Sequence, residues 1–161
     1  MILVTVGSPK EGFDRAVRLV DELKIEGKVR DRVVAQIGNG SYEPKKIEQV
    51  FRFKSWEEIN RLNRNAEMIV SHAGAGTIMT ALKYGRPMIC MPRLKELGEH
   101  NDNHQLEVAA TLKNEGKVLV ANDKSELLEC INKIKKGWKP KTAKTGGRAA
   151  EEVSKFLSSV E

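Results

Sequence analysis

Short runs of Val, Ile and Leu alternate with helical periodicity along most of this chain. Buried strands are expected at about residues 2–6, 32–37, 48–53, 67–71, 87–91 and 117–121, each an apolar run bounded by turn residues. Helices are expected near 12–25, 56–65, 76–84, 101–115, 123–135 and 147–160, where apolar side chains recur at helical spacing. Strands separated by helices argue for a parallel, doubly wound α/β sheet of the Rossmann-like type. Ligands in such sheets sit beyond the carboxyl ends of the strands, near the point where strand order reverses. The first strand is expected to end at Gly7-Ser8 and the fourth at the His72–Thr77 turn, which places both loops on that edge.

The junction after the fourth strand carries the most chemistry. Val70-Ser71-His72-Ala73-Gly74-Ala75-Gly76-Thr77 reads as the end of a buried strand, a glycine-rich turn and a helix start. Free backbone N–H groups gather at such a helix start, and the helix dipole favours an anion there. Gly74 and Gly76 lack Cβ, which lets a diphosphate approach the main chain closely. Gly85-Arg86-Pro87 then turns the chain into the next apolar run, Met88-Ile89-Cys90-Met91. The arrangement is the anatomy of a nucleotide site.

Length and charge narrow the class. At 161 residues the chain is long enough for one well-buried domain, expected over 1–136. A basic Gly/Pro linker at 137–146 and a C-terminal helix at 147–161, a candidate docking element for a partner, are expected to follow. Lys and Arg number 28 against 22 Asp and Glu, a formal charge of +6. Much of the excess falls at Lys133, Lys135, Lys136, Lys139, Lys141, Lys144 and Arg148. That charge is either a solvated surface or a face for an anionic membrane or an acidic partner. Nucleic acid is disfavoured, because no aromatic residues interleave with the basic ones. No apolar run approaches the roughly 20 residues that cross a bilayer, and Met1–Val6 reads as a first strand and not a signal peptide. A cytoplasmic location is expected. Cys90 and Cys130 have no CxxC partner and read as reduced core thiols.

Several other residues invite a chemical reading. His100 and His104 stand four apart, a spacing that can ligate a metal from one helix face. Asn101 as N-cap would leave His100 outside the helix, and no metal site is expected. Glu57, Glu58, Arg61 and Arg64 read as a solvated helix face with i,i+4 pairs. Trp56 and Trp138 read as packing or partner-contact residues, and Glu11 or Asp14 as a cap for the first helix.

Ser71-His72-Ala73-Gly74-Ala75-Gly76-Thr77, Gly85-x-Pro87 and Asn103-His104-Gln105 together resemble the C-terminal, donor-binding half of GT-B glycosyltransferases of the MurG-like group. The start Val4-Thr5-Val6-Gly7-Ser8, then Phe13-Asp14 and Phe51-x-Phe53-Lys54, is most similar to the small soluble subunit of two-part UDP-N-acetylglucosamine transferases and of their relatives in exopolysaccharide synthesis. The likeness covers about residues 1–135. It implies that Gly7 and Ser8 approach the donor diphosphate. His72, Gly74, Ala75, Gly76 and Thr77 form the second phosphate loop, in which His72 and Thr77 stabilise the leaving UDP. Lys54 and Ser55 fall in the segment whose main chain reads the uracil edge. His104 and Gln105 meet the donor sugar, with Asn103 shaping that pocket. Thr80 stands where many relatives carry a Glu for the ribose hydroxyls, so a single neutral hydroxyl replaces a carboxylate.

The resemblance further implies an inverting transfer with UDP-sugar as substrate, no cofactor and no metal, and the sequence has no DxD motif. The general base and the acceptor site are expected on a membrane-associated partner subunit that supplies the other GT-B half, with a polyprenyl-diphosphate-linked sugar as acceptor. The chain is expected to be inactive alone and to bind UDP with millimolar to high-micromolar affinity, about −4 to −6 kcal/mol. Other donors (UDP-glucuronate, UDP-glucose) stay open, as does a non-catalytic nucleotide-sugar-binding module that regulates or stabilises a partner. A metal-dependent hydrolase at His72, His100 and His104 is a third alternative.

Overall fold

Six parallel strands form one sheet in a computed structural model that describes residues 1–7, 10–141 and Lys155. The strands are β1 (Ile2–Thr5), β2 (Val33–Gln36), β3 (Gln49–Phe51), β4 (Met68–Ser71), β5 (Met88–Cys90) and β6 (Leu119–Val120). Their spatial order is β3-β2-β1-β4-β5-β6, the doubly wound order, with its reversal between β1 and β4. Five helices connect them: α1 (Asp14–Ile25), α2 (Trp56–Asn65), α3 (Ala75–Lys83), α4 (His104–Asn114) and α5 (Lys124–Lys135). The expected α/β architecture is therefore present. The linker expected beyond 141, the C-terminal helix and the basic residues Lys144 and Arg148 lie outside the described residues.

The sheet is apolar on both faces because helices cover both. Alternate strand residues point to opposite sides. Ile2, Val4 and Val70 thus join Val17 and Val20 of α1 and Leu127 and Ile131 of α5 in one core. Leu3, Val34 and Ile69 join Ile78 of α3 and Val108 and Leu112 of α4 in the other. Each buried Val, Leu or Ile contributes about 1.5–3 kcal/mol, and these two layers hold the edge loops in place. Both cysteines are free: Cys90 is fully buried and Cys130 half-buried. Burial pushes the Cys90 thiol up to about 12, so it is inert.

One long connection is fixed by a buried carboxylate. Asp21 on α1 is fully buried. It accepts hydrogen bonds from Tyr42 Oη at 2.8 Å and from the backbone N–H groups of Lys45, Lys46 and Ile47 at 2.8, 2.7 and 3.2 Å. Those four donors pin the β2–β3 connection to α1. Burial, together with the Asp21 carboxylate, pushes the Tyr42 hydroxyl up to about 12.

Three local expectations change. Neither Glu11 nor Asp14 caps α1: its N-cap is Phe13, without a side-chain bond, and Asp14 instead accepts from the Ser41 amide and hydroxyl. The helix expected from residue 101 starts at His104, because Asp102 Oδ1 accepts from the His104 amide at 2.9 Å and organises 101–103 as a turn. Asn103, not Asn101, is the N-cap residue, and His100 lies outside the helix. On α2 the ion pair is Lys54–Glu58 at 2.9 Å, which reaches back across the helix start.

Candidate functional site

Register builds the site. Thr5 of β1 pairs with Ser71 of β4, and Ser71 pairs with Cys90 of β5. The chain segments leaving these three central strands, Val6-Gly7, His72–Gly74 and Met91–Arg93, therefore emerge side by side on the carboxyl edge. Gly7 has φ +71°, a left-handed turn that turns the chain sharply after β1. Ser8 lies outside the described residues.

The start of α3 is open to a ligand. Its N-cap, Gly74, has no side chain to satisfy the first-turn amides, and Ala75 and Gly76 are exposed. The N–H groups of residues 75–77 thus face outward at the positive end of a nine-residue helix. Gly74 and Gly76 differ in why they are glycine. A Cβ on Gly74 would lie 2.2 Å from His72 Nε2, whereas one on Gly76 would meet nothing within 4 Å. Gly74 makes room for the imidazole, and Gly76 leaves the approach from solvent clear.

His72 is 9% exposed and lies at the base of this opening. Its Nδ1 is 3.2 Å from Ser71 Oγ, which donates to the Thr5 carbonyl at 2.7 Å. Burial first, then the nearby Arg93 cation, push His72 down to about 3, so the imidazole is neutral. Thr77 is half-buried in the first turn of α3. Thr80 Oγ1 donates to the Gly76 carbonyl at 2.8 Å. That back-bond commits its hydrogen and leaves the oxygen able only to accept, as it could from a ligand hydroxyl.

Arg93 is a central residue that sequence reasoning missed. It is 5% exposed, with Nη2 donating to the Val6 carbonyl at 3.2 Å and the guanidinium 5.8 Å from the Phe13 ring centroid. Its Nε is buried with no partner among the described residues. Burial lowers its pKa, opposed by Glu11 and Glu99. The sequence showed only a charged residue after a proline, with no local signal that the side chain would fold back beneath the β1 loop.

The segment 92–103 forms a projecting loop around a single 3₁₀ turn at Lys95–Leu97. Arg15 of α1 holds its base: Nε and Nη2 contact the two Glu99 oxygens at 2.8 Å each, and Nη2 also donates to the Pro92 carbonyl at 2.6 Å. Glu99 in turn accepts from the Leu94 amide at 3.0 Å. Asn103 accepts from the Lys95 amide at 3.0 Å and donates to Glu96 at 2.7 Å. Gln105 is buried, and its Oε1 accepts from the Arg93 amide at 3.0 Å. Asn103 and Gln105 therefore brace the loop, while His104 stands half-buried at the first position of α4.

Lys54 and Ser55 sit apart, at the end of the edge strand β3. Ser55 caps α2 in a capping box with Glu58, and Lys54 Nζ lies 5.2 Å from the Phe51 ring centroid. These contacts occupy both side chains, and the Ser55 amide also donates to Glu58 at 3.1 Å. Phe53 and Trp56 beside them are 52% and 74% exposed, so Trp56 is not a packing residue, whereas Trp138 packs against the core. Among the described residues no group of three or more His, Cys, Asp and Glu is placed to hold a metal, His100 and His104 included.

This edge matches a known architecture. The family model of the glycosyltransferase family 28 C-terminal domain fits residues 1–159. The chain belongs to this family. The human UDP-N-acetylglucosamine transferase subunit ALG13 is 33% identical over 125 residues, covering 71% of this chain and 10% of that protein. A transferase of Prochlorococcus marinus, named for moving N-acetylglucosamine onto N-acetylmuramyl-(pentapeptide) pyrophosphoryl-undecaprenol, is 29% identical over 126 residues, 73% of this chain and 34% of its own length. The solution structure of ALG13 superposes with a TM-score of 0.61 at 19% identity over 97% of this chain and 94% of that one, which shows the shared fold. The family 28 chain thus spans about a tenth of the human relative's length and a third of the bacterial one's. Glycosyl transfer is the chemistry of its family, and among the described residues no helix is long and apolar enough to cross a membrane.

Proposed function

We propose that this chain is the donor-binding half of an inverting glycosyltransferase that moves a sugar, N-acetylglucosamine foremost, from UDP to a polyprenyl-diphosphate-linked sugar. The observation that carries the reading is the uncapped, exposed start of α3 standing over His72 where β1 and β4 diverge. Backbone N–H groups fixed there by two packed cores stabilise an arriving diphosphate and the additional charge on the departing UDP without reorganising. In the reaction the acceptor oxygen bonds to the anomeric carbon as the bond to the β-phosphate oxygen breaks. The acceptor's proton goes to a base on the other GT-B half, supplied by a membrane-associated partner subunit, and UDP leaves on this chain.

Residues 75–77 and His72 hold the diphosphate, with Gly7 and Ser8 on its second side. Thr80 accepts from the ribose, the main chain near Lys54 and Ser55 reads the uracil, and His104 with its supporting Asn103 and Gln105 meets the sugar. The relatives' names support UDP-N-acetylglucosamine as donor and a partner subunit. Two measurements test the reading. Titration of isotope-labelled chain with UDP should shift the amide resonances of Gly7 and residues 72–77 and leave those at the opposite sheet edge unmoved. Radiolabelled N-acetylglucosamine should pass from UDP to a polyprenyl-diphosphate sugar only when the chain is combined with membranes holding its partner. Shifts centred elsewhere, or turnover by the chain alone, would sink the respective half of the proposal.

A further inference from the structure

The hydrogen bonds around His72 fix which of its nitrogens holds the proton. Ser71 Oγ has one hydrogen and commits it to the Thr5 carbonyl at 2.7 Å, so toward His72 Nδ1, 3.2 Å away, it can only accept. Nδ1 is therefore protonated, and in the neutral ring Nε2 carries a bare lone pair. That lone pair lies against Gly74, where a Cβ would come within 2.2 Å of it, at the start of α3. Nε2 thus shares the place to which the diphosphate is assigned. Phosphate oxygens only accept hydrogen bonds, and a lone pair facing them is repulsive.

We propose that His72 takes up one proton at Nε2 as the donor diphosphate binds, and that the resulting imidazolium is the site's buried counter-cation. The inference rests on the reading of the α3 start as the diphosphate site. In the empty site every charge near the ring opposes protonation. Arg93, from the segment after β5, and His100, from the projecting loop, are the charged or titratable groups that act on it, and neither is a carboxylate. Glu11 and Glu99 act on Arg93 instead. The helix start adds partial positive charge of the same sign. A dianion arriving beside Nε2 reverses this balance, and the ring can then donate from both nitrogens, Nδ1 to Ser71 Oγ and Nε2 to phosphate. The proton comes from solvent on donor binding and is carried off when UDP, whose terminal phosphate titrates at about pH 6, departs.

The test is calorimetric titration of the full chain with UDP-N-acetylglucosamine, whose diphosphate is a diester without a titrating group near neutral pH. Repeating it at pH 7 in buffers of different ionisation enthalpy counts the protons taken up. Uptake approaching one proton, with affinity falling about tenfold per pH unit between pH 6 and 8, is expected. His72→Gln, whose amide donates at every pH, should bind with no proton uptake and a flat pH profile. Measurable binding without proton uptake, or an unchanged pH slope in His72→Gln, overturns this inference and leaves the site assignment standing. Binding that maps away from residues 72–77, or none at millimolar ligand, overturns both.

Discussion

Gly76→Asp should separate folding from ligand binding with opposite signs. The wild-type position is exposed, in the first turn of α3, and a Cβ there meets nothing within 4 Å. Replacing glycine inside a helix recovers a few tenths of a kcal/mol of backbone entropy. A carboxylate in the first turn gains about 0.3–1 kcal/mol from the helix dipole. The variant should therefore be more stable by ~1 kcal/mol, a rise in Tm of about 2–4 °C for a chain of this size. The same carboxylate stands in the path of the diphosphate. Two unit charges roughly 5 Å apart repel by about 3 kcal/mol at an effective dielectric of 20, and exposure at this turn screens about half of that. A loss of tenfold to a hundredfold in UDP affinity follows. Thermal melting and isothermal titration on the same preparations check both signs. A variant that melts lower contradicts the open geometry at Gly76. One that melts higher yet binds UDP like the wild type removes the diphosphate from the start of α3.

Other substitutions probe what holds the site in place. Asp21→Ala strips acceptors from three backbone N–H groups and the Tyr42 hydroxyl and should cost about 3–5 kcal/mol by denaturant unfolding, whereas Tyr42→Phe should cost only about 1 kcal/mol. Gly74→Ala drives a methyl group into the His72 imidazole and should lower both Tm and UDP affinity, in contrast to Gly76→Ala, which should leave affinity near wild type. Acid stability should fall in two stages. His72, near 3 in the fold and about 6.5 when unfolded, contributes stability fully present above pH 6.5 and lost on acidification, about 2 kcal/mol by pH 5. Glu26 and Glu58, held near 2 by Lys124 and Lys54, contribute only above their unfolded value, and that contribution goes between about pH 4.5 and 2. His72→Gln should erase the first stage and keep the second in pH-dependent urea melts.

Much of this was legible from apolar runs and glycine placement. The six strands appear where Val-Ile-Leu runs stand, and α2 spans Trp56–Asn65 as its periodicity and the Ser55–Glu58 capping box require. The His72–Thr77 junction was legible because strand, glycine turn and helix start are all local features. What stayed hidden depends on residues far apart in sequence. Arg15 meets Glu99 across 84 positions, Arg93 meets Val6 across 87, and Asp14 meets Ser41 across 27. No window along the chain contains both partners, so Asp14 read as a helix cap and Arg93 drew no reading. The Asn101-Asp102-Asn103 run was ambiguous for a different reason. Any of the three side chains can accept from a following amide, and the Asp102–His104 bond decides the helix start.

The loop at 92–103 runs on from β5 and is held in addition by side chains, Arg15 on Glu99 and Gln105 on the Arg93 amide. The segments proposed to grip the diphosphate are short and follow directly on β1 and β4, two central strands. These two attachments place different demands on inherited change. The loop between its anchors can lengthen, shorten or exchange residues while Arg15, Glu99 and Gln105 stay, whereas a comparable change at residues 72–77 disturbs strand pairing at once. With the roles proposed above, a single ancestral scaffold can diversify in the sugars it accepts while its grip on the nucleotide stays fixed.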